Sequence, residues 1–538
     1  MNLRVRLIAL PPAPWLLVAL ALVYIVSGLL GHDPWKTEDA IGVDVVHQML
    51  AHGQWLIPHL AGEPYFDDGP LYYWLAALCA KLAAPLLAEH NGARLASGVS
   101  TAAAIWFVYL AGRELYRDRN AGTGAALVLL GSLGLLVHAH ETLAEMGMFA
   151  GQALALYAGA VAPRRAGRGA ALLGVGIAAA LLCKGPAAIA VPAAAALAAP
   201  ALSEMWRSRR YAAALAAGAL LSALLVGAWI AWVDSTHTDL ATALLRLQLA
   251  GFGVPDWRTV EDYFKTLGWA AWPAWPIAFW ALWERRRRVY EGGTRILIVA
   301  TLVAVAVLLA HTDDREVNAM PVLLPLALLA GSSAGTLRRG AANALAWFGA
   351  ISTILFGTLV WLGWFAMMTG VPERLARNFT RLEPGFSPQF GWLPLLIALA
   401  LTGAWLWLFM RSERSAFRGV TYWAAGLALV WGLLMTLWLP WVDYGKSYRP
   451  VALAMKKALP ANARCIESNG LGEAQRAAFD YHAAISTIRL ELRDDPGCPL
   501  LLVQGRPGAS DGVGARWTLI WEGSRPRDHE RYRLYRRK

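Results

Sequence analysis

Apolar runs long enough to cross a bilayer recur along residues 1–440, and they limit this chain to a polytopic helical membrane protein. Composition agrees, because 57% of the residues are hydrophobic and only 16% are charged, which is far from the average of soluble proteins. We predict about thirteen spans. They are 15–31, 93–112, 121–140, 148–162, 169–183, 186–202, 212–233, 269–283, 296–311, 320–336, 343–368, 390–410 and 419–440.

Charged residues in the short loops predict the orientation of the spans. The basic clusters are Arg4 and Arg6, Arg113 to Arg119, Arg164 to Arg168, Arg207 to Arg210, Arg285 to Arg288, Arg338 and Arg339, and Arg411 to Arg418. The opposite face receives Glu38, Asp39, Asp67, Asp68, Glu141, Glu145, Asp234, Asp239, Asp256, Asp313 and Asp314. We therefore expect a cytoplasmic N-terminus, with the acidic loops and the tail from 441 outside.

The chain divides into a membrane bundle over 1–440 and a polar tail over 441–538. Short apolar patches separated by Gly, Pro and charge predict that the tail is a small α/β extracytoplasmic domain. Cys465 and Cys498 both fall in it and are able to pair if it lies outside the cytoplasm. Within the bundle, 32–92 is too long for a plain connector, and Pro70 to Leu87 predicts a helix along the outer interface.

The outer loop 32–92 holds the most informative residues for function. Carboxylates placed between apolar spans cost free energy, so Glu38-Asp39 and Asp67-Asp68 are candidates for a functional role. The simpler interpretation of the first pair is a solvated charge pair at a helix N-terminus. The simpler interpretation of the second pair is a turn before Gly69.

Three sequence blocks resemble a known superfamily, the bacterial lipid-linked-sugar transferases that include the aminoarabinose transferase of lipid A and the protein O-mannosyltransferases. The resemblance covers roughly residues 10–440, and its first block is the most specific. The blocks are Glu38-Asp39 with Met49 to Leu60 and Pro64-Tyr65-Phe66, then Cys183-Lys184-Gly185-Pro186, and Pro321 to Leu326.

The resemblance implies a bundle of the C-type glycosyltransferase fold, a polyprenyl-phosphate sugar donor and transfer on the non-cytoplasmic side. Glu38-Asp39 stand at the place of the family's paired catalytic acids, in reversed order. Glu145 matches a second acid in the next outer loop, with Glu141 as the alternative. Asp67-Asp68-Gly69-Pro70 replaces a common Glu-Lys-Pro-Pro, so a basic residue is lost, and no matching His is recognisable near 246–248.

The chemistry of such a transfer assigns expected roles. An acceptor oxygen attacks the anomeric carbon, and a carboxylate base, Glu38 or Asp39, assists a hydroxyl acceptor. The leaving phosphate needs cations, for which Lys184 and Arg315 are the first candidates, followed by Arg246 and Arg258. Lys184 snorkelling from its helix end and a local ion pair at Arg315 are the simpler alternatives.

A divalent metal ion is a further expectation, because several outer acids offer oxygen ligands for a hard cation. Asp67 is the candidate ligand. The histidines of the outer loops have the wrong spacing for a convincing metal cluster.

We therefore predict an integral inner-membrane glycosyltransferase of a Gram-negative-like cell, with a lipid, glycan or protein acceptor and membrane lipids as partners. Two alternatives are a lipid-sugar flippase and a non-catalytic partner subunit. Nucleic acid is excluded as a partner, although the net charge is +12, because the basic residues sit in short clusters between apolar runs and form no groove with interleaved aromatics.

Overall fold

The computed structural model describes residues 12–35, 37–236, 251–286, 292–312, 315–412, 415–460, 465–491, 497–506, 513–514, 516–526 and 528–538. The chain is mainly helical, with a small sheet near its C-terminal end. The helices up to residue 236 are α1 Pro14–Val26, α2 Glu38–His52, α3 Leu71–Ala83, α4 Glu89–Tyr116, α5 Arg119–Leu130, α6 Leu133–Leu136, α7 Ala144–Val161, α8 Ala166–Lys184, α9 Ala190–Leu202 and α10 Arg209–Thr236. The later helices are α11 Trp257–Ala270, α12 Ala274–Glu284, α13 Gly292–Ala310, α14 Met320–Gly331, α15 Arg339–Thr369, α16 Glu373–Leu382, α17 Trp392–Arg411, α18 Arg418–Leu433, α19 Leu439–Lys446, α20 Arg449–Ala458 and α21 Glu473–Ala483.

Eight helices within the described residues are long and apolar enough to cross a membrane, and a bent pair would make a ninth. The bent pair is Arg119–Leu130 with Leu133–His140, which meet at 68° where one straight span over 121–140 is predicted. Three shorter apolar helices coincide with predicted spans or with the predicted interfacial helix: Pro14–Val26, Leu71–Ala83 and Pro186–Leu202. The polytopic helical architecture is thus confirmed, and the count of thirteen spans stays a prediction.

The basic loops lie together at one end of the bundle, as the charge pattern predicts. Arg113 and Arg164 line the same pocket. The Arg285 guanidinium lies 5.1 Å from the ring centroid of Tyr116 and donates to the Ser332 carbonyl at 2.8 Å. Because these contacts join the loops after α4, α7, α12 and α14, arginine residues are concentrated at one end of the bundle.

Helix α2 carries the first pair of acidic residues. Glu38 and Asp39 occupy its first turn, where the helix dipole favours negative charge, and Gly53 ends it with a φ of +71°. Most of this helix is buried, because α21 of the C-terminal region packs across it and Gln48 donates to Asp480. Helix α2 therefore lies between the bundle and the C-terminal region.

The C-terminal region forms the predicted small α/β unit. Its five-stranded sheet has the order β4-β3-β5-β7-β6, in which β3 runs parallel to β4 and β5, and the remaining pairs are antiparallel. Helices α20 and α21 pack on this sheet over a core that includes Phe479 and Leu502. Cys465 and Cys498 form a disulfide. The strands are β1 His59–Leu60, β2 Glu63–Pro64, β3 Ile466–Asn469, β4 Ile488–Arg489, β5 Leu500–Gly505, β6 Trp517–Gly523 and β7 Arg531–Arg537.

Candidate active site

A cavity of about 270 Å³ opens at the end of the bundle opposite the arginine-rich loops. Its polar lining includes Asp67, Glu145, Lys184, Arg315 and Asn318, and its apolar lining includes residues of α7, α9 and α13. The apolar side chains are Met148, Val191, Ala304 and Val307. One cavity therefore combines charged groups with a hydrocarbon-like wall, as a site for an amphiphile requires.

Lys184, at the C-terminal end of α8, joins two buried carboxylates. Its Nζ lies 2.5 Å from Oδ1 of Asp68 and 2.9 Å from Oε1 of Glu145. Tyr73 donates its hydroxyl to the other oxygen of Asp68 at 2.6 Å. Burial raises the pKa of Asp68, and Lys184 opposes that rise. The lysine is thus held in place by charge-assisted bonds from the loop before α3 and from the first turn of α7.

Gly69 explains how Asp68 reaches Lys184. A Cβ added at Gly69 would lie 2.1 Å from the carbonyl oxygen of Leu182. The backbone N–H of Gly69 donates to the Cys183 carbonyl at 2.8 Å. Only glycine allows the two backbones to approach this closely. The Asp-Gly pair that departs from the family pattern therefore brings a carboxylate against the Lys184 side chain.

Glu38 lies beside the cavity, where it contacts the cavity residue Arg315. Their nearest atoms, Oε1 and Nη1, are 3.4 Å apart. Burial, with the nearby negative charge of Glu145, raises the pKa of Glu38 to about 7. A carboxylate with such a pKa is suited to accept a proton near neutral pH.

The Asp39 side chain points away from the cavity and forms a fully buried ion pair with Arg94. Arg94 of α4 and Asp39 are both fully buried, with 2.7 Å between Nη2 and Oδ2. The same guanidinium donates to the carbonyls of His32 and Asp33, and Asp39 accepts the backbone N–H of Thr142 at 2.8 Å. Burial acts to raise the pKa of Asp39, but Arg94 outweighs it and holds the pKa at about 2.

Asp39 thereby ties together the two segments that carry Glu38 and Glu145. Gly42, one turn further along α2, packs so closely on residue 142 that an added Cβ would lie 1.7 Å from the Thr142 carbonyl oxygen. The two acids of the pair therefore have different environments, and Asp39 is a candidate for a positioning role beside Glu38.

Asp67 lies exposed at the rim of the cavity. Among the described residues, no group of three or more His, Cys, Asp or Glu side chains is arranged to hold a metal ion. The divalent metal ion and Asp67 as its ligand therefore stay a prediction. Asp313, Asp314, Asp239 and Arg246 lie outside the described residues.

The structure brings Glu38, Glu145, Lys184 and Arg315 into one linked set, with Asp67 at the rim. The sequence analysis did not single out Arg94, although an arginine inside a predicted apolar span is a signal for a buried partner. Tyr73 and His311 were also missed. The His311 ring lies in the cavity wall and contacts the Phe252 ring in a tilted arrangement, with 4.4 Å between the centroids.

Sequence comparisons relate the chain to two groups of glycosyltransferases. The model of the dolichyl-phosphate-mannose-protein mannosyltransferase family matches residues 67–232. The undecaprenyl phosphate-alpha-4-amino-4-deoxy-L-arabinose arabinosyl transferase of Pseudomonas aeruginosa strain PAO1 is 28% identical over 494 residues, which cover 88% of this chain and 84% of that protein. The protein of the same name from Pseudomonas paraeruginosa is 35% identical over 121 residues, 22% of this chain and 21% of that protein.

Solved structures share the fold. ArnT from Cupriavidus metallidurans, bound to undecaprenyl phosphate, superposes with a TM-score of 0.68 at 16% identity over 97% of each chain. The archaeal oligosaccharyltransferase AglB from Archaeoglobus fulgidus, in complex with an inhibitory peptide and a dolichol-phosphate, gives 0.53 at 11% identity over 91% of this chain and 69% of that one. The chain is thus similar to the lipid-linked-sugar glycosyltransferases, among them the aminoarabinose transferases and the protein mannosyltransferases, and it has the C-type glycosyltransferase fold.

Proposed function

We propose that this protein transfers a sugar from a polyprenyl-phosphate carrier to an acceptor on the periplasmic face of the bacterial inner membrane. The observation that carries the proposal is the cavity that joins Lys184 and Arg315 to an apolar wall. The two cations suit a phosphate, and the wall suits the first isoprene units of its lipid. The disulfide between Cys465 and Cys498 supports a periplasmic C-terminal unit, because such bonds persist in oxidising compartments.

The transfer follows from the positions of the charged groups. The acceptor oxygen forms a bond to the anomeric carbon while the bond from that carbon to the phosphate oxygen breaks. Glu38 accepts the proton of a hydroxyl acceptor, and polyprenyl phosphate leaves with the bonding electron pair. Arg315 and Lys184 stabilise the negative charge that develops on the phosphate.

An amino sugar is the donor group that fits the charge of the site best. Glu38, Asp67, Asp68 and Glu145 place four carboxylates around two cations. An ammonium group on the sugar would offset part of this excess of negative charge, whereas a neutral sugar would not. The name of the Pseudomonas relatives also gives an amino pentose, so we infer a pentosyl donor with an amine.

The proposal is tested with the purified full-length protein, labelled undecaprenyl-phosphate aminoarabinose and lipid A in mixed micelles. We expect label to move to lipid A, and undecaprenyl-phosphate mannose to be a poorer donor. A protein that binds the donor and gives no labelled product with lipid A, glycan or peptide acceptors would instead be a partner subunit. Movement of the intact donor between leaflets of a vesicle would indicate a flippase.

The rate of transfer is expected to depend on the ionisation of Glu38. Because the base must be deprotonated and its pKa is about 7, kcat/KM should fall about tenfold per pH unit below that value and level off above it. A profile measured from pH 5 to 9 tests this. Glu38→Asp should shift the pH at which kcat/KM begins to fall. Identical profiles in the wild-type and Glu38→Asp proteins would show that the fall is not due to ionisation of Glu38.

Arg315→Gln is expected to weaken binding of undecaprenyl phosphate by about tenfold to a hundredfold. A hydrogen bond to a charged group contributes about 1.5–3 kcal/mol, and the substitution removes one cation from the cavity. Arg374→Gln removes the same charge from an exposed position of α16 and is the matched control. Equal loss of affinity in both variants, by titration of the purified proteins, would contradict the assignment.

A further inference from the structure

A second pocket lies at the arginine-rich end of the bundle, away from the candidate active site. Its volume is about 480 Å³, and its lining consists of Arg113, Glu114, Arg117, Arg119 and Arg164. Arg113 and Glu114 lie in the last turn of α4, and Arg117 and Arg119 lie where the chain turns into α5. Arg164 lies in the loop between α7 and α8. The 18 residues of α7 span about 27 Å, so this pocket and Glu145 lie near opposite ends of that helix.

The charges of this pocket are not balanced within the protein. Arg164 pairs with Glu114, and its Nη1 also lies 3.4 Å from the Glu114 carbonyl oxygen. Arg113, Arg117 and Arg119 have no ion-pair partner among the residues that the structure describes. Three guanidinium groups therefore face one concave surface without a carboxylate to neutralise them.

We propose that this pocket binds the phosphodiester headgroup of an anionic phospholipid. Guanidinium groups present paired N–H donors that match phosphate oxygens, and several around one concavity hold a phosphate far better than scattered surface charges do. Basic pockets between membrane helices are suited to anionic lipid headgroups. The predicted orientation places this end of the bundle at the cytoplasmic leaflet.

An exposed apolar side chain beside the pocket favours a lipid over a free anion. The Arg164 Nη2 lies 3.6 Å from the Met205 sulfur. Met205 is 40% exposed. A headgroup in the arginine pocket would therefore have an apolar side chain beside it for the start of an acyl chain.

The test uses the purified full-length protein, stripped of lipid in neutral detergent at low salt. Phosphatidylglycerol and phosphatidylcholine with identical acyl chains are titrated separately, and binding is followed by native mass spectrometry. We expect phosphatidylglycerol to bind about tenfold more tightly, which equals about 1.4 kcal/mol. The preference should decline as salt rises.

Two double variants locate the site. Arg113→Gln with Arg119→Gln removes two pocket cations and should abolish the preference for phosphatidylglycerol. Arg165→Gln with Arg168→Gln removes the same charge from neighbouring arginines that do not line the pocket, and should retain it. Retained preference in the first pair, or equal loss in both pairs, would overturn the proposal.

Inorganic phosphate gives the remaining arm of the test. If millimolar phosphate displaced phosphatidylglycerol and alone stabilised the protein as much against heat, the pocket would be a site for free anions and the lipid assignment would fail. Failure here leaves the proposed transfer reaction untouched, because no residue is shared between the two sites.

Discussion

Glu38→Gln is expected to lower the rate of sugar transfer by roughly 10²–10⁴-fold, the usual contribution of a positioned general base. Glutamine keeps the shape of the side chain and its contact with Arg315, but it cannot accept the acceptor's proton. Binding of undecaprenyl phosphate should stay the same or become tighter, since a negative charge near the phosphate is removed. Initial rates with saturating donor, measured beside donor titrations, separate the two effects.

The control for this substitution is Glu261→Gln, which removes a carboxylate from the exposed face of α11. It should leave both rate and affinity unchanged. If Glu38→Gln retained the full rate at pH 8 with a hydroxyl acceptor, the base assignment would be wrong. A rate lost together with donor binding would point to a disturbed fold, which thermal unfolding of the variant would reveal.

The sequence predicted the class of fold and most of the charged groups of the site. Spans over 93–112 and 169–183 were found because apolar length is a local property that needs no knowledge of packing. Glu38, Glu145 and Lys184 were found because each lies in a short motif at the end of a helix. Their mutual contacts were not predictable, since they join loops far apart in the chain.

The bend at residues 130–133 shows where span prediction fails. The apolar run from 121 to 140 predicts one span by its length, but it contains Gly131-Ser132, a pair at which helices often kink. The structure divides the run there at 68°. The second half continues to Glu141 and Thr142, and Asp39 holds Thr142 by its backbone N–H. Tertiary contacts near the site therefore determine the geometry, and local propensity does not reveal them.

The two acids of the Glu38-Asp39 pair could not be distinguished from sequence. Adjacent residues at the start of a helix point in directions about 100° apart, so one faces the cavity side and the other faces α4. Only the burial and the partner of each carboxylate assign the roles. Glu38 has a partly exposed side chain beside Arg315, whereas Asp39 is sealed against Arg94.

Arg94→Met is expected to destabilise the protein by about 3–5 kcal/mol, because it leaves the Asp39 charge buried without its partner. Both side chains are fully buried, so solvent does not screen this loss. Arg113→Met, near the other end of α4, is the matched control, since Arg113 is half-buried and pairs with no carboxylate among the described residues. Arg113→Met should lower the free energy of unfolding by less than about 1 kcal/mol. Unfolding of both variants in an SDS titration measures the two losses of stability.

If Asp39 positions Glu38, its substitution should slow transfer even in a protein that stays folded. A loss of stability alone would not have this effect. Asp39→Asn keeps the side chain's volume and an oxygen for the Thr142 N–H, but it removes the charge that faces Arg94. At a temperature where the variant is still folded, we expect kcat to fall more than donor affinity, because Glu38 and Glu145 lose their fixed spacing while Arg315 and Lys184 remain. An unchanged kcat in a folded Asp39→Asn protein would show that the buried pair only stabilises the bundle, and Glu38 would then need no neighbour to hold it in place.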